Sequence, residues 1–570
     1  MRYLCCIVLF LCQKSFSQNF SANIYPKGYF RNPLGIPISL SGNFGELRPN
    51  HYHMGLDIRT NKKQNLPVYA AADGYIARLK IEPGGFGRAI YINHANGFTT
   101  LYAHLNDFNP RLEAWLKQQQ YQLESWAVFL DLEPSLFPVK KGELLAYSGN
   151  TGGSQAPHLH FEIRSTKEDV NLNPLLFGFS LADKTNPKIL RLAIFDRTKS
   201  VYEQSPKLVP AKWIPGKSYT STPLIVQVNS PLISLGISST DTHSGSSSAN
   251  GIFETELQVD GITVISFRMD SISYNDTRYL NAHIDYRTRS WGGPYIQHLS
   301  ELPGYVNSIY YKETGNGVID LRDEQPHSIQ IIVRDAYGNS STLHSSVQYK
   351  KSAAAAGSLA NRTGKTFYPL MLDGYESKDC EFYIGERCLY DSVFINYSQS
   401  AGTSGAISAL HRIGSSSIPL QEAFLIRIKT DRSLTESEKM RTVMQWIGSS
   451  RQDVQKVEWQ DNWASAKFRD FGSYQLIIDE ESPQIIPIGF TNGSNLGKAS
   501  RIVFTVRDNL GKFKNVRAEL DGKWLRFTND KGRTFIYRFD EKCLAGQHEL
   551  KIIAEDEAGN VTTAMYRFTR

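Results

Sequence analysis

Polar and apolar positions alternate with a period of two along two short stretches about a hundred residues apart. In His51-Tyr-His53-Met-Gly55-Leu-Asp57-Ile-Arg59, one strand face carries His51, His53, Gly55, Asp57 and Arg59, and the other Tyr52, Met54, Leu56 and Ile58. In Pro157-His158-Leu-His160-Phe-Glu162-Ile-Arg164, the polar face carries His158, His160, Glu162 and Arg164, and the apolar face Leu159, Phe161 and Ile163. That alternation predicts two half-buried strands. Paired antiparallel, they could bring imidazoles and carboxylates together, the nitrogen and oxygen ligands that a zinc ion takes.

Between them the pattern stays β. Pro67-Val-Tyr-Ala-Ala-Ala-Asp73-Gly74 reads as a hairpin around its Asp-Gly pair. After a glycine-rich loop at 84–87, Ala89 to His94 forms a strand, Asn96-Gly97 a turn, and Phe98 to Leu105 the return strand, with Tyr102 and His104 on one face. Residues 106–137 interrupt the series. Asn109-Pro110 predicts a helix start, and Leu112, Trp115 and Leu116 an apolar stripe on a helix reaching about Gln122. That helix could pack on the core or cover a cleft as a lid. Val128, Leu130 and Leu132 alternate as a short strand, Val139 to Tyr147 resumes the β pattern, and Ser148 to Gly153 is a turn into the second stretch.

Beyond residue 180 strand-like runs and polar turns dominate, and the chain echoes itself. Pro187-Lys-Ile189 returns as Pro483-Gln-Ile485. His327-Ser-Ile-Gln-Ile-Ile-Val-Arg-Asp335-Ala-Tyr-Gly338-Asn339 returns as His548-Glu-Leu-Lys-Ile-Ile-Ala-Glu-Asp556-Glu-Ala-Gly559-Asn560, each preceded by an Asp-Gly turn at 260–261 and 521–522. Two immunoglobulin-like β-sandwich modules leave such a trace, at 183–350 (with an insertion around 265–320) and 483–570. An Ala/Ser/Gly-rich linker covers about 350–365. Residues 366–482 read as a third, mostly β segment, with Thr435 to Met444 open between helix and strand.

Composition sets the compartment. Arg2, the apolar run to Cys12 and the small residues Ser15 and Ser17 read as an export signal, residues 1–17, cleaved before Gln18. No other run approaches the roughly 20 apolar residues of a membrane helix, so the mature chain is expected to have no transmembrane segment. It is expected in the periplasm or cell envelope, or outside the cell. Three cysteines remain after cleavage, and Cys380 could pair with Cys388. A net charge of +7 over 570 residues is small, and there is no stacking motif or arginine-rich helix, so nucleic acid is not an expected partner.

Three motifs stand together: His53-Met-Gly55-Leu-Asp57, Tyr102-Ala-His104-Leu105 and Pro157-His158-Leu-His160-Phe-Glu162. In that combination the chain resembles the lysostaphin/LytM-type zinc peptidases over about 40–165. The resemblance implies a mostly antiparallel β peptidase domain (18–182, with the 106–137 insertion) followed by β accessory modules. It implies one zinc ion on His53, Asp57 and His160, with the fourth position left to water. His104 and His158 would flank the metal, one moving the water's proton to the leaving amine and the other hydrogen-bonding the oxyanion; His158, closer in sequence to a ligand, is the expected base. The implied substrate is the peptide cross-link of peptidoglycan, and the β modules could contact wall or an envelope protein. The alternatives are a non-catalytic binding or regulatory module and an exported protease acting on proteins. Outside the motif register, His51 is expected at the rim, His94 in a turn, Arg48 paired with Glu46 or a substrate carboxylate, and His327 and His548 in the fold alone.

Overall fold

The computed structural model describes residues 25–305, 309–351 and 363–570. The export signal (1–17) and most of the linker lie outside them. The described chain is mostly β, built mainly of antiparallel strand pairs with few short helices. None of the described helices is long and apolar enough to cross a membrane.

The N-terminal region runs β1 (Leu40–Gly42), β2 (Leu47–Arg48), β3 (His51–Tyr52), β4 (Leu56–Arg59), β5 (Pro67–Tyr69), β6 (Gly74–Ile81), β7 (Arg88–Asn93), β8 (Phe98–Ala103), β9 (Leu105–Phe108), α1 (Pro110–Gln122), β10 (Val128–Asp131), β11 (Pro138–Val139), β12 (Leu144–Ser148), β13 (His158–Ser165) and β14 (Val170–Leu172). The main sheet has the order β1-β4-β13-β8-β7-β6-β10, and β5, β12 and β9 form a second, smaller sheet. The two histidine-bearing stretches are neighbours in the main sheet: β13 pairs antiparallel with β4, with His160 opposite Asp57 and His158 opposite Arg59. Leu56, Ile58, Leu159, Phe161 and Ile163 point into one core.

Several expectations are corrected here. The stretch 51–59 is two strands, broken at His53–Gly55. Its apolar face therefore serves two cores: Leu56 and Ile58 pack in the N-terminal region, while Tyr52 and Met54 pack with residues of the following β module. Tyr52 is fully buried there, worth roughly 2 kcal/mol in apolar contact. Its backbone also exchanges hydrogen bonds with Thr277 Oγ1. Asp73-Gly74 is not a hairpin, since β5 pairs with β12 and β6 with β7. The Asp73 carboxylate instead accepts the Lys141 N–H and the Lys140 ammonium. His104 leaves the β8 strand in a left-handed conformation, φ 59°. Helix α1 buries Leu112 and Leu116 in the core.

In residues 188–349 the strand His327–Arg334 lies between Glu254–Val259 and Ser340–Tyr349, and in the C-terminal region Gln547–Asp556 lies between Phe513–Leu520 and Val561–Thr569. The repeated histidines have one local job. His327 Nδ1 sits 2.6 Å from Asp260 and His548 Nδ1 2.7 Å from Asp521, each locking an Asp-Gly turn whose two residues have positive φ. In the middle segment Thr435 and Glu438 form a reciprocal cap on the helix Glu436–Arg441, and the strand Thr442–Ile447 follows. Cys380 and Cys388 are buried free thiols in the structure, so the pairing read from sequence is not formed.

His298 is buried with neither ring nitrogen bonded among the described residues, and burial pushes it down to about 3. Unfolding returns it to its ordinary 6.5. Because the folded value is depressed, the stability it contributes is complete above pH 6.5 and is lost as pH falls toward 3. Between pH 7 and 5 that loss is roughly 2 kcal/mol. Denaturant titrations at the two pH values are expected to show it in the wild type and to show a smaller difference in His298→Leu; equal differences would refute the assignment.

Candidate metal site

Three donor atoms meet where β4 faces β13. His53 Nε2 lies 2.9 Å from Asp57 Oδ1 and 3.1 Å from His160 Nδ1, and His160 Nδ1 lies 3.0 Å from Asp57 Oδ1. All three residues are buried, and together they form a group able to hold a metal ion. The cross-strand pairing of His160 with Asp57 sets two of the donors, and the break after β3 turns His53 toward them. Gly55 makes the approach possible. A Cβ there would stand 2.4 Å from the Phe161 carbonyl oxygen and 3.1 Å from His160 Nε2.

The hydrogen bonds behind the imidazoles fix which nitrogen faces the site. His53 Nδ1 faces the Asn43 carbonyl at 2.7 Å, so that nitrogen donates and Nε2 is the one turned to Asp57. His160 Nε2 faces Glu162 Oε1 at 2.9 Å, which turns Nδ1 to Asp57. Burial alone would lower this imidazole, but its hydrogen bonds to Asp57 and Glu162 raise it to about 9, so a metal ion at Nδ1 would displace a proton. Two imidazole nitrogens and a carboxylate oxygen therefore point at one place. Burial alone would raise Asp57, but the three histidines around it hold it well below the usual carboxylate range. The donors fit a divalent cation: two imidazole nitrogens and an ionised carboxylate, with room for a further ligand. Behind them, Glu162 is fully buried and paired to Arg164 at 2.6 Å, and Asn171 Nδ2 donates to the same carboxylate at 2.8 Å.

His158 and His104 stand beside this group. His158 Nε2 is 3.2 Å from Asp57 Oδ1, and its Nδ1 donates to the Ala156 carbonyl at 2.8 Å. The His104 ring centroid is 4.8 Å from that of His158, and its Nδ1 donates to the Thr151 carbonyl at 2.9 Å. Burial, then the neighbouring His160 and His158, push His104 down to about 3. All five motif residues line one open cleft of about 850 Å³. Arg59 and Lys62 are exposed at its rim, and Phe86 and Tyr274 add aromatic walls. Helix α1 contributes no lining residue.

The remaining candidates fall outside the donor group. His51 is exposed, with Nδ1 on the Pro49 carbonyl. His94 is buried between the Asp73 carbonyl and Thr100 Oγ1. Arg48 pairs with Glu46 and also reaches Asp57 Oδ2, each at 3.1 Å. The sequence reading gave no role to Asn43, Thr151 or Tyr274. The first two act through backbone carbonyls, which carry no side-chain signal, and Tyr274 comes from the accessory region. Glu162 was visible, two residues beyond His160 on the same face, and its orienting role follows from that spacing. Glu162→Gln is expected to weaken metal binding by about 10- to 100-fold, because an amide orients the imidazole less firmly than a carboxylate. Competition with a chromogenic chelator reads this out, and unchanged affinity would refute the orienting role.

Comparison with known proteins agrees with the geometry. The family model described as peptidase family M23 matches residues 51–121 and 137–173, leaving out most of the stretch between α1 and β11. A Zu5-like domain model matches residues 371–479. An uncharacterized metalloprotease of Haemophilus influenzae is 32% identical over 154 residues, covering 25% of this chain and 26% of its own length. The DD-carboxypeptidase/endopeptidase Mpg of Neisseria meningitidis is 38% identical over 119 residues, 21% of each chain. The catalytic domain of lysostaphin from Staphylococcus simulans is 26% identical, with 27% of this chain and 93% of that one covered at a TM-score of 0.16. This chain spans about a quarter of the length of the curated relatives it matches. With the three motifs assembled at one site, residues 51–173 form a peptidase family M23 domain.

Proposed function

We propose that the chain is an exported zinc-dependent endopeptidase that hydrolyses the peptide cross-links of bacterial peptidoglycan. The observation that carries this reading is the convergence of His53 Nε2, His160 Nδ1 and ionised Asp57 on an open cleft, with two further imidazoles beside them. In the proposal His53, Asp57 and His160 hold one zinc ion. When bound, zinc supplies Lewis acidity to a peptide carbonyl and lowers the pKa of water toward about 7.

The chain's own groups handle the proton. With Nδ1 committed to Ala156, His158 presents Nε2 at the edge of the donor group, 3.2 Å from Asp57 Oδ1. It takes the proton from the attacking water as the carbon–oxygen bond forms, and returns it to the nitrogen as the carbon–nitrogen bond breaks. His104 is neutral, with Nδ1 committed to Thr151, so its free Nε2 also accepts rather than donates. That tautomer suits orienting the water or a substrate N–H better than donating to an oxyanion. Arg59 and Lys62 at the rim suit a peptide that carries carboxylates.

Zinc-loaded protein, incubated with isolated peptidoglycan and separately with an unfolded protein substrate, tests the substrate class by release of new primary amines. The proposal expects release from the wall polymer, abolished by a chelator. Release from the protein substrate alone would replace it with an exported protease, and release from neither would leave a binding module.

A further inference from the structure

A second group of donors lies in the first β module, away from the cleft. Asp183 precedes the strand Lys188–Asp196, Asp241 follows the strand Leu232–Thr240, and Asp335 follows His327–Arg334. Donor atoms of Asp183, Asp241 and His243 lie within 4.8 Å of one another. Asp241 is 2% exposed, and its Oδ1 has no hydrogen-bond partner among the described residues. Burial first, then the neighbouring carboxylates of Asp335 and Asp183, push Asp241 up to about 7. Among the described residues, no lysine or arginine pairs with any of these three carboxylates; the one cationic candidate is His243, with Nδ1 3.0 Å from Asp183. An unpartnered buried carboxylate beside two others is costly unless a cation joins them.

The C-terminal module repeats the arrangement. Asp479, Asp508 and Asp556 occupy the matching places, and their donor atoms form a second such group. The wiring is the same: Asn339 Nδ2 donates to the Asp335 carboxylate and to the Asp183 carbonyl, as Asn560 Nδ2 does to Asp556 and Asp479. Only carboxylates are common to both groups. Leu510 stands where the first has His243, two residues past the aspartate. Oxygen-only donors select a hard cation of flexible coordination.

We propose that Asp183 and Asp241 hold a calcium ion, with Asp335 in the place that Asp556 fills in the C-terminal group, a metal site separate from the one on His53, Asp57 and His160. In this reading His243 orients the Asp183 carboxylate. The ion would also brace the cleft from behind. Asp241 and Asn250 exchange backbone hydrogen bonds, and the next residue, Gly251, exchanges two more with the side chain of Asn43, whose carbonyl holds His53.

The test is calcium binding by the full chain, stripped with chelator and reloaded with one equivalent of zinc. By equilibrium dialysis, Asp241→Asn is expected to bind one calcium ion fewer per chain than the wild type. A second readout does not depend on that variant folding. The Tyr337 ring lies 6.2 Å from that of His243, so terbium at this site is expected to luminesce through it, and Tyr337→Phe to lose that component while binding terbium equally well. Equal calcium stoichiometry in wild type and Asp241→Asn, no calcium bound by the wild type, a second zinc in place of calcium, or terbium emission unchanged in Tyr337→Phe would each overturn the assignment.

Discussion

Replacing His160 by alanine is expected to lower peptide-bond hydrolysis by roughly a thousandfold or more. The imidazole supplies one of three donors, and its loss leaves Asp57 and His53 to hold the ion alone. Stabilisation of the developing charge by a bound metal is worth several kcal/mol, and each 1.4 kcal/mol is about tenfold in rate. The substitution also strips Glu162 of its partner at 2.9 Å, though Arg164 and Asn171 still satisfy the other carboxylate oxygen. The fold should therefore survive, and loss of activity with an intact circular-dichroism spectrum is the expected pair of results. A His160→Ala protein that keeps kcat/KM within tenfold of the wild type would remove His160 from the donor group.

His104→Ala is expected to separate metal binding from turnover. His104 belongs to the cleft but not to the three-donor group, and its Nδ1 is anchored to the Thr151 carbonyl. Zinc content should stay at one per chain, while kcat falls by about 10²–10⁴, the range of a lost proton-handling group. His53→Ala should behave the opposite way and lose the zinc. Full zinc in His53→Ala, or lost zinc in His104→Ala, would exchange the two roles.

Much of this site was legible in the sequence because strand alternation is a strong local signal. The period of two put His53 with Asp57 and His158 with His160; the register of β4 on β13 sets Asp57 opposite His160, whereas His53 reaches them through the break after β3. The glycine of the first motif is explained only in three dimensions, by the carbonyl of Phe161 that crosses its missing Cβ. Other features depend on partners far away in the chain. Tyr52 and Met54 alternate like core residues, and are, but their core belongs to the accessory module. Asp73-Gly74 carries a local hairpin signal that the competing pairings of β5 and β6 override. Asn43 acts through its carbonyl, which no residue type advertises. The repeated His-to-Asp runs were visible as repeats, whereas the unpartnered carboxylate of Asp241 shows only once three segments meet.

The most direct measurement is a mass analysis of the fragments released from isolated peptidoglycan by the zinc-loaded wild type and by His160→Ala. The account predicts cross-linked fragments split at one peptide bond by the wild type and left whole by the variant. Identical fragment profiles from the two proteins would contradict it.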